Sequence, residues 1–435
     1  MNRMPGLGEQ LPALTPHEAI VESNRCLFCF DAPCTHACPT HIDIPRFIKK
    51  IATQNILGSA KTILEANLLG ATCARVCPVQ ELCEGACVLG SEHKPIMIGR
   101  LQRHAMDFAY SRGVPKFHTQ AAATGKKIAV IGAGPAGLSC AGELAKRGHA
   151  VTLFEKRELG GGLSTYGIIS LREPMEVALA EVEMVRGLGV EFRSGVELGN
   201  GLSVEDLKTN FDAVFVSAGL GVTPALGIPG EEYILDGLAY IEQSKLDLAN
   251  LPAGRQVVII GAGNTAIDCA TIAKRQGAEH VTIVYRRTAV EMSAYKHEYD
   301  FVKKEGVEFR FLTQPVEVIR DKNGVTGLEC VSVVLGELDR SGRPAPQLDL
   351  NSRFVLAADQ VVKAIGQDKL SVAAVLGVAT ERGFIQVNSQ FETNVPGIYA
   401  GGDCIRAKGA SSTVMAVQDG KLAAAAINSG LTWRT

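Results

Sequence analysis

The chain has 435 residues, 46% hydrophobic and 21% charged, with 46 glycines, 12 cysteines and a formal net charge of −2. So balanced a charge excludes the global positive field that recruits nucleic acid or an anionic membrane surface, and neither is expected as a partner. The length predicts two or three domains able to enclose large cofactors; Met1–Pro16 has no apolar signal region and no stretch reaches the ~18 apolar residues of a membrane span, so a cytoplasmic protein with reduced thiols is expected.

Residues 1–122 place apolar side chains at helical spacing, as across Ile44–Leu69, and predict a helical domain. Eight cysteines fall in this head. Seven form two blocks, Cys26-x2-Cys29-x4-Cys34-x3-Cys38-Pro39 and Cys77-Pro78-x4-Cys83-x3-Cys87. Closely spaced thiolates on loops suit iron-sulfur clusters, and bacterial ferredoxins close such a run with Cys-Pro. Structural zinc uses similar spacings and is the alternative, which would make the chain a non-enzymatic assembly module. The eighth, Cys73, and the scattered Cys140, Cys269, Cys330 and Cys404 are expected as small packed thiols.

Beyond the polar stretch Thr119–Lys127 the strand Ile128–Ile131 runs into Gly132-Ala-Gly134-Pro-Ala136-Gly137 and a helix. Bare backbone N–H groups at a helix start can receive a pyrophosphate where any Cβ would collide. Glu155 ends the next strand, 23 residues after Gly132, where a carboxylate can accept hydrogen bonds from ribose hydroxyls. The unit recurs 129 residues later as Gly261-Ala-Gly263-Asn264-Thr265-Ala266, and its second strand ends in Tyr285-Arg286-Arg287. Guanidinium groups there suit the 2′-phosphate of NADP. The expected layout is a first nucleotide domain over 123–248 and 346–435 with a second, 249–345, inserted into it. Gln360–Ile365 and Gly397–Asp403 read as the return to the first domain.

The segment Ile398-Tyr-Ala-Gly-Gly402-Asp403, followed by Ser411-Ser-Thr413 and an alanine-rich helix, resembles the closing motif of two-dinucleotide flavoproteins of the glutathione-reductase type. That resemblance covers about 126–430 and implies an α/β fold of two Rossmann-like domains behind an α-helical iron-sulfur domain. It assigns FAD to the first turn, through Gly132, Gly134, Ala136, Gly137, Glu155, Gly162, Leu163, Gly219, Gly402 and Asp403, with Arg172 at the pyrophosphate and the helix from Thr413 facing the isoalloxazine. The second turn, with Gly261, Gly263, Asn264, Thr265, Arg286 and Arg287, is left for NAD(P)H. The C-x2-C dithiol of thioredoxin reductases is absent from this half. No catalytic acid, base or nucleophile is implied.

The head resembles the N-terminal domain shared by dihydropyrimidine dehydrogenases and glutamate synthase small subunits. It implies two 4Fe-4S clusters, one on Cys26, Cys29, Cys34 and Cys87, the other on Cys38, Cys77, Cys83 and an oxygen of Gln102. Glutamine at that last position favours the electron-input subunit of a dihydropyrimidine dehydrogenase. Electrons would pass from NAD(P)H through FAD and the clusters to a partner, and a hetero-oligomer is expected. Since 31 residues follow Cys404, the FMN- and iron-sulfur-containing subunit that binds and reduces uracil or thymine is expected on another chain. The alternatives within the resemblance are a glutamate synthase small subunit and a related ferredoxin:NADP oxidoreductase subunit. Bacterial two-subunit enzymes of the favoured type use NAD, whereas Arg286 and Arg287 favour NADP.

Overall fold

A computed structural model describes residues 9–339, 342–369, 371–406 and 411–432. The described chain packs as two compact units: 9–165 with 172–220 and the stretch from 369 onward, and 166–171 with 221–368.

The head opens the first unit with helices α1 (Pro16–Asn24), α2 (Pro33–Ala37), α3 (Ile44–Ala52), α4 (Ile56–Ala66), α5 (Gly70–Val76) and α6 (Ile98–Tyr110). Thr15 starts α1 with a reciprocal cap, its hydroxyl accepting from the Glu18 N–H while the Glu18 carboxylate accepts from the Thr15 N–H. Helix α3 buries Ile44, Phe47, Ile48 and Ile51, a three-and-four spacing that makes one stripe. That stripe shares a core with Ile63 and Leu64 of α4 and Leu101 and Met106 of α6.

The same unit continues as a five-stranded parallel sheet of β1 (Lys127–Ile131), β2 (Ala150–Glu155), β3 (Glu191–Ser194), β4 (Ala213–Val216) and β13 (Ile398–Ala400), in the order β13-β4-β1-β2-β3. Strand β1 is buried on both faces, as a central parallel strand must be. Ile128 and Val130 enter the core beneath α7 (Pro135–Lys146), α8 (Met175–Arg186) and α10 (Thr413–Thr432), while Ala129 and Ile131 enter a second core on the opposite face. Leu69 and Cys73 of the head belong to the first of these cores, so head and sheet are one packed body.

The second unit repeats the plan with β5 (Leu235–Asp236), β6 (Gln256–Ile260), β7 (His280–Val284), β8 (Glu308–Arg310) and β12 (Gln360–Lys363) in the parallel order β8-β7-β6-β12-β5, with α9 (Asn264–Arg275) after β6. It adds an antiparallel sheet of β9 (Thr313–Asp321), β10 (Gly324–Leu338) and β11 (Pro344–Ala357). Here the expected boundaries need correction. Gln360–Lys363 is not part of the return: it pairs in parallel with Val257–Ile260, so the second unit runs on to Asp368 and begins at Gly221 rather than at 249. The return is carried by β13, which pairs with β4.

Candidate redox site

The first glycine turn is shaped by a backbone crossing. Gly132 has φ +97° and its N–H donates to the Phe154 carbonyl at 2.8 Å, while a Cβ on it would come within 2.5 Å of the Ser217 carbonyl oxygen. Only glycine fits there. Glu155 is 8% exposed at the end of β2, where one carboxylate oxygen accepts the Ala133 N–H at 2.8 Å and the other the Arg157 N–H at 2.9 Å. Those bonds fix its orientation and leave a lone pair on each oxygen for a ribose. The turn Gly161–Gly162 folds back on it, with the Gly161 N–H on the Ala133 carbonyl at 2.7 Å, and Leu163 begins a single helical turn.

Gly402 lies against Ala136, and the buried Asp419 of α10 accepts the Gly402 N–H at 3.0 Å and pairs with Arg406. Burial raises the Asp403 carboxyl, with Arg406 opposing. Gly219 reaches the same corner, its N–H facing the Cys404 sulfur. Thr413 starts the 20-residue α10, whose first turns place Val414, Ala416 and Val417 in the core that holds Ala136 and Leu138 of α7. Arg172 is half-buried at the entry to the segment before α8. Gly132, Gly134, Gly137, Glu155, Gly162 and Gly402 thus gather around the β1–α7 turn, bare backbone beside a buried acid.

In the head, Cys26, Cys29, Cys34 and Cys87 line one pocket, walled otherwise by Ile44, Ile48, Ile96, Ile98 and other apolar side chains. Cys87 reaches it from more than fifty residues away because α6 and its approach pack back against α3. Burial, then the thiols of Cys26 and Cys87, push the Cys34 thiol up to about 11. Burial is also the main cause of the rise at Cys26. Such thiols become thiolates only beside a cation, which an iron-sulfur core supplies.

Cys38, Cys77 and Cys83 form the second group. The Cys77 thiol is raised by a hydrogen bond with Cys73, by burial and by its neighbours Cys83 and Cys38. The Cys83 thiol is raised by burial, by Glu84 and by Cys38. Gln102, buried on α6, donates its Nε2–H to the Gly70 carbonyl at 2.7 Å. Only the amide nitrogen can make that bond, so Oε1 occupies the other branch of the amide.

The second glycine turn repeats the first: Gly261 has φ +119°, its N–H donates to Val284 at 3.0 Å, and Asn264 opens α9 with its Oδ1 accepting the Tyr295 N–H at 3.2 Å. Thr265 follows in the first turn of α9. The two arginines after β7 part company. Arg286 is exposed, its pKa lowered by partial desolvation and by the guanidiniums of Arg287 and Arg343. Arg287 is 2% exposed and faces inward, its Nε donating to the Pro344 carbonyl at 2.8 Å and its Nη2 pairing with Asp339 at 2.7 Å. The expectation that both would meet a 2′-phosphate is corrected: Arg287 ties β7 to the β10–β11 hairpin.

Comparison with known proteins bears on this arrangement. Residues 126–427 match the family described as pyridine nucleotide-disulphide oxidoreductase, and residues 5–114 match dihydropyrimidine dehydrogenase domain II, 4Fe-4S cluster. The chain belongs to the pyridine nucleotide-disulphide oxidoreductases. It is 33% identical to the small chain of glutamate synthase [NADPH] of Escherichia coli over 427 residues, 94% of this chain and 90% of that one. It is 34% identical to the NAD-dependent dihydropyrimidine dehydrogenase subunit PreT of the same organism, over 97% of this chain and 96% of the other. The NADP(+)-dependent formate dehydrogenase subunit beta of Moorella thermoacetica is 35% identical over 91% of this chain, which spans 59% of that protein's length. Among solved structures, Lactococcus lactis thioredoxin reductase superposes with a TM-score of 0.57 at 24% identity over 71% of this chain and 99% of that one, a likeness of fold.

This member of the family is therefore an oxidoreductase of the flavin and 4Fe-4S kind that works with a nicotinamide nucleotide. No helix among the described residues is long and apolar enough to cross a membrane. Three features of its site escaped the sequence. Glu181 of α8 accepts the Ala71 N–H at 2.7 Å and the Thr72 N–H at 3.2 Å, and Glu173 accepts the Thr72 hydroxyl at 2.5 Å, so the flavin-type domain caps α5 of the head. Asp419 holds the closing motif, and Lys421 reaches the head. Asp419 and Lys421 stand out as the charges among the small residues of α10, whereas Glu181 is one of three glutamates in α8 and Glu173 lies before it.

Proposed function

We propose that the chain is the electron-input subunit of a dihydropyrimidine dehydrogenase, taking hydride from NAD(P)H and delivering electrons through FAD and two 4Fe-4S clusters to a partner that reduces uracil or thymine. The observation that carries the electron path is the pair of thiol groups in one compact unit with the first glycine turn: four sulfurs around a cavity, and three more of which Cys77 packs against the flavin-type core. FAD, when bound, converts a two-electron donor into single-electron steps. The chain's own residues hold and orient: Gly132, Gly134 and Gly137 give backbone room for the pyrophosphate, Glu155 the ribose contact, and Asp403 the ribityl contact that the resemblance implies. Cys26, Cys29, Cys34 and Cys87 would hold one cluster, and Cys38, Cys77, Cys83 and Gln102 the other.

Gln102, rather than an acid, supports the pyrimidine reading, as does similarity to PreT along nearly the whole length of both chains. The comparable similarity to the glutamate synthase small chain supports a second reading, delivery to a glutamine-using partner. The exposed Arg286 favours NADPH. Anaerobically purified protein should carry flavin and eight irons, and should drive one of two candidate partners: a uracil-reducing subunit, or a subunit turning over glutamine with 2-oxoglutarate. Activity with the second alone sinks the pyrimidine reading; iron-free, colourless protein sinks both.

A further inference from the structure

Helix α10 carries three consecutive residues with three different attachments. Asp419 holds the Gly402 N–H of the closing motif. Gly420 sits so close to α7 that a Cβ would come within 2.1 Å of the Ala136 carbonyl oxygen. Lys421 turns to the head, its ammonium donating to the Thr40 carbonyl at 3.1 Å and the Ala66 carbonyl at 2.9 Å. Thr40 in turn places its hydroxyl 3.4 Å from the sulfur of Cys38. One residue thus separates the ammonium from a thiol of the second group. Eight residues, ~12 Å of helix rise, separate it from Thr413 at the helix start.

Both partners of Lys421 are neutral carbonyls. Among the described residues it makes no ion pair, and the nearby Glu143 is engaged by Lys146 at 2.8 Å and Arg147 at 2.9 Å. A half-buried positive charge, partly shielded from screening water, is therefore kept on the helix between the closing motif and the second thiol group.

We propose that Lys421 is a positioning residue for electron passage, fixing the head on the flavin-type domain and raising the potential of the cluster on Cys38, Cys77 and Cys83. The inference rests on the electron path proposed above. In each transfer the reduced flavin loses one electron and the cluster gains it, no bond forming or breaking. The added negative charge falls beside the ammonium, and charge near a cluster sets its potential. Without it, electrons stay longer on the flavin.

The test uses holoprotein with Lys421→Met, Lys421→Gln and Lys421→Arg. Redox titrations followed by electron paramagnetic resonance give the second cluster's midpoint, and rapid mixing with NADPH gives the rate of flavin bleaching. Lys421→Met and Lys421→Gln should bleach at the normal rate but move the flavin–cluster distribution about tenfold toward flavin, which is 59 mV for a one-electron couple. Lys421→Arg should restore it. A normal midpoint in Lys421→Gln, which keeps a donor for the carbonyls without the charge, overturns the proposal, as does an equal shift in Lys421→Arg. Wild-type protein without two cluster signals would overturn the electron path itself, a distinct result read before any variant is compared.

Discussion

Two adjacent arginines at the end of β7 carry the same charge to opposite ends. Arg287 is spent on the hairpin, and its removal takes the donor from the Pro344 carbonyl and the ion-pair partner from the Asp339 carboxylate. Arg287→Ala should cost about 1–3 kcal/mol, read as a lower Tm, with nucleotide preference unchanged. Arg286→Ala should leave Tm alone and raise the KM for NADPH by at least about tenfold with little change for NADH, the loss of one charge-assisted contact. Equal KM changes for both nucleotides would remove the basis for preferring NADPH. The sequence presents Arg286 and Arg287 as a pair; only packing against Asp339, more than fifty residues on, tells them apart.

Glu181 sets a second expectation at this scale. Burial, partly offset by bonds from Thr72 and Ala71, pushes its carboxyl up to about 8 from an ordinary 4.5. The folded state therefore holds a proton that the unfolded chain releases, and stability falls as pH rises between those two values. Tm should decline from pH 5 to pH 8.5 in the native chain, and Glu181→Gln, which carries no titrating proton, should flatten that decline. A parallel decline in both would assign the effect to other groups.

Among the elements, the two glycine turns were legible because their determinants are local: strand, turn, helix and an acid or arginine within thirty residues. Strand β12 was not. Its four residues, two valines between Gln360 and Lys363, read as any short strand, and its partner β6 lies a hundred residues upstream, so its sheet is decided by pairing that spacing cannot report. Helix α10 hides more than β12, since its alanine-rich sequence gives no sign that Gly420 is a crossing point with α7. Gly420→Ala should push the helices apart, costing about 1–3 kcal/mol and lowering retained FAD, measured by melting and by flavin absorbance after gel filtration.

For the whole molecule, the cysteine spacing pointed to clusters, but the sorting of seven sulfurs into two sets came from resemblance, because Cys87 joins Cys26, Cys29 and Cys34 only through the folding of the head. Four sulfurs and a ring of apolar side chains around one cavity make the inorganic core part of what the head packs upon. Chelation of iron should therefore expose residues 9–122 to proteolysis while 221–368 stays protected, as followed by mass spectrometry of timed digests. Equal protection of both would mean that the head folds without its metal.

The acids that cap α5 bear on how such proteins can be cut and recombined. A graft of residues 9–122 onto a foreign flavoprotein would bring the cysteines but leave behind Glu173 and Glu181, so the first turn of the helix leading to Cys77 would lose its anchors. A transplant keeps them only if α8 travels with the head, and because β1, between the two, pairs with β4, the workable piece is the whole first unit rather than the stretch that sequence alone treats as a module.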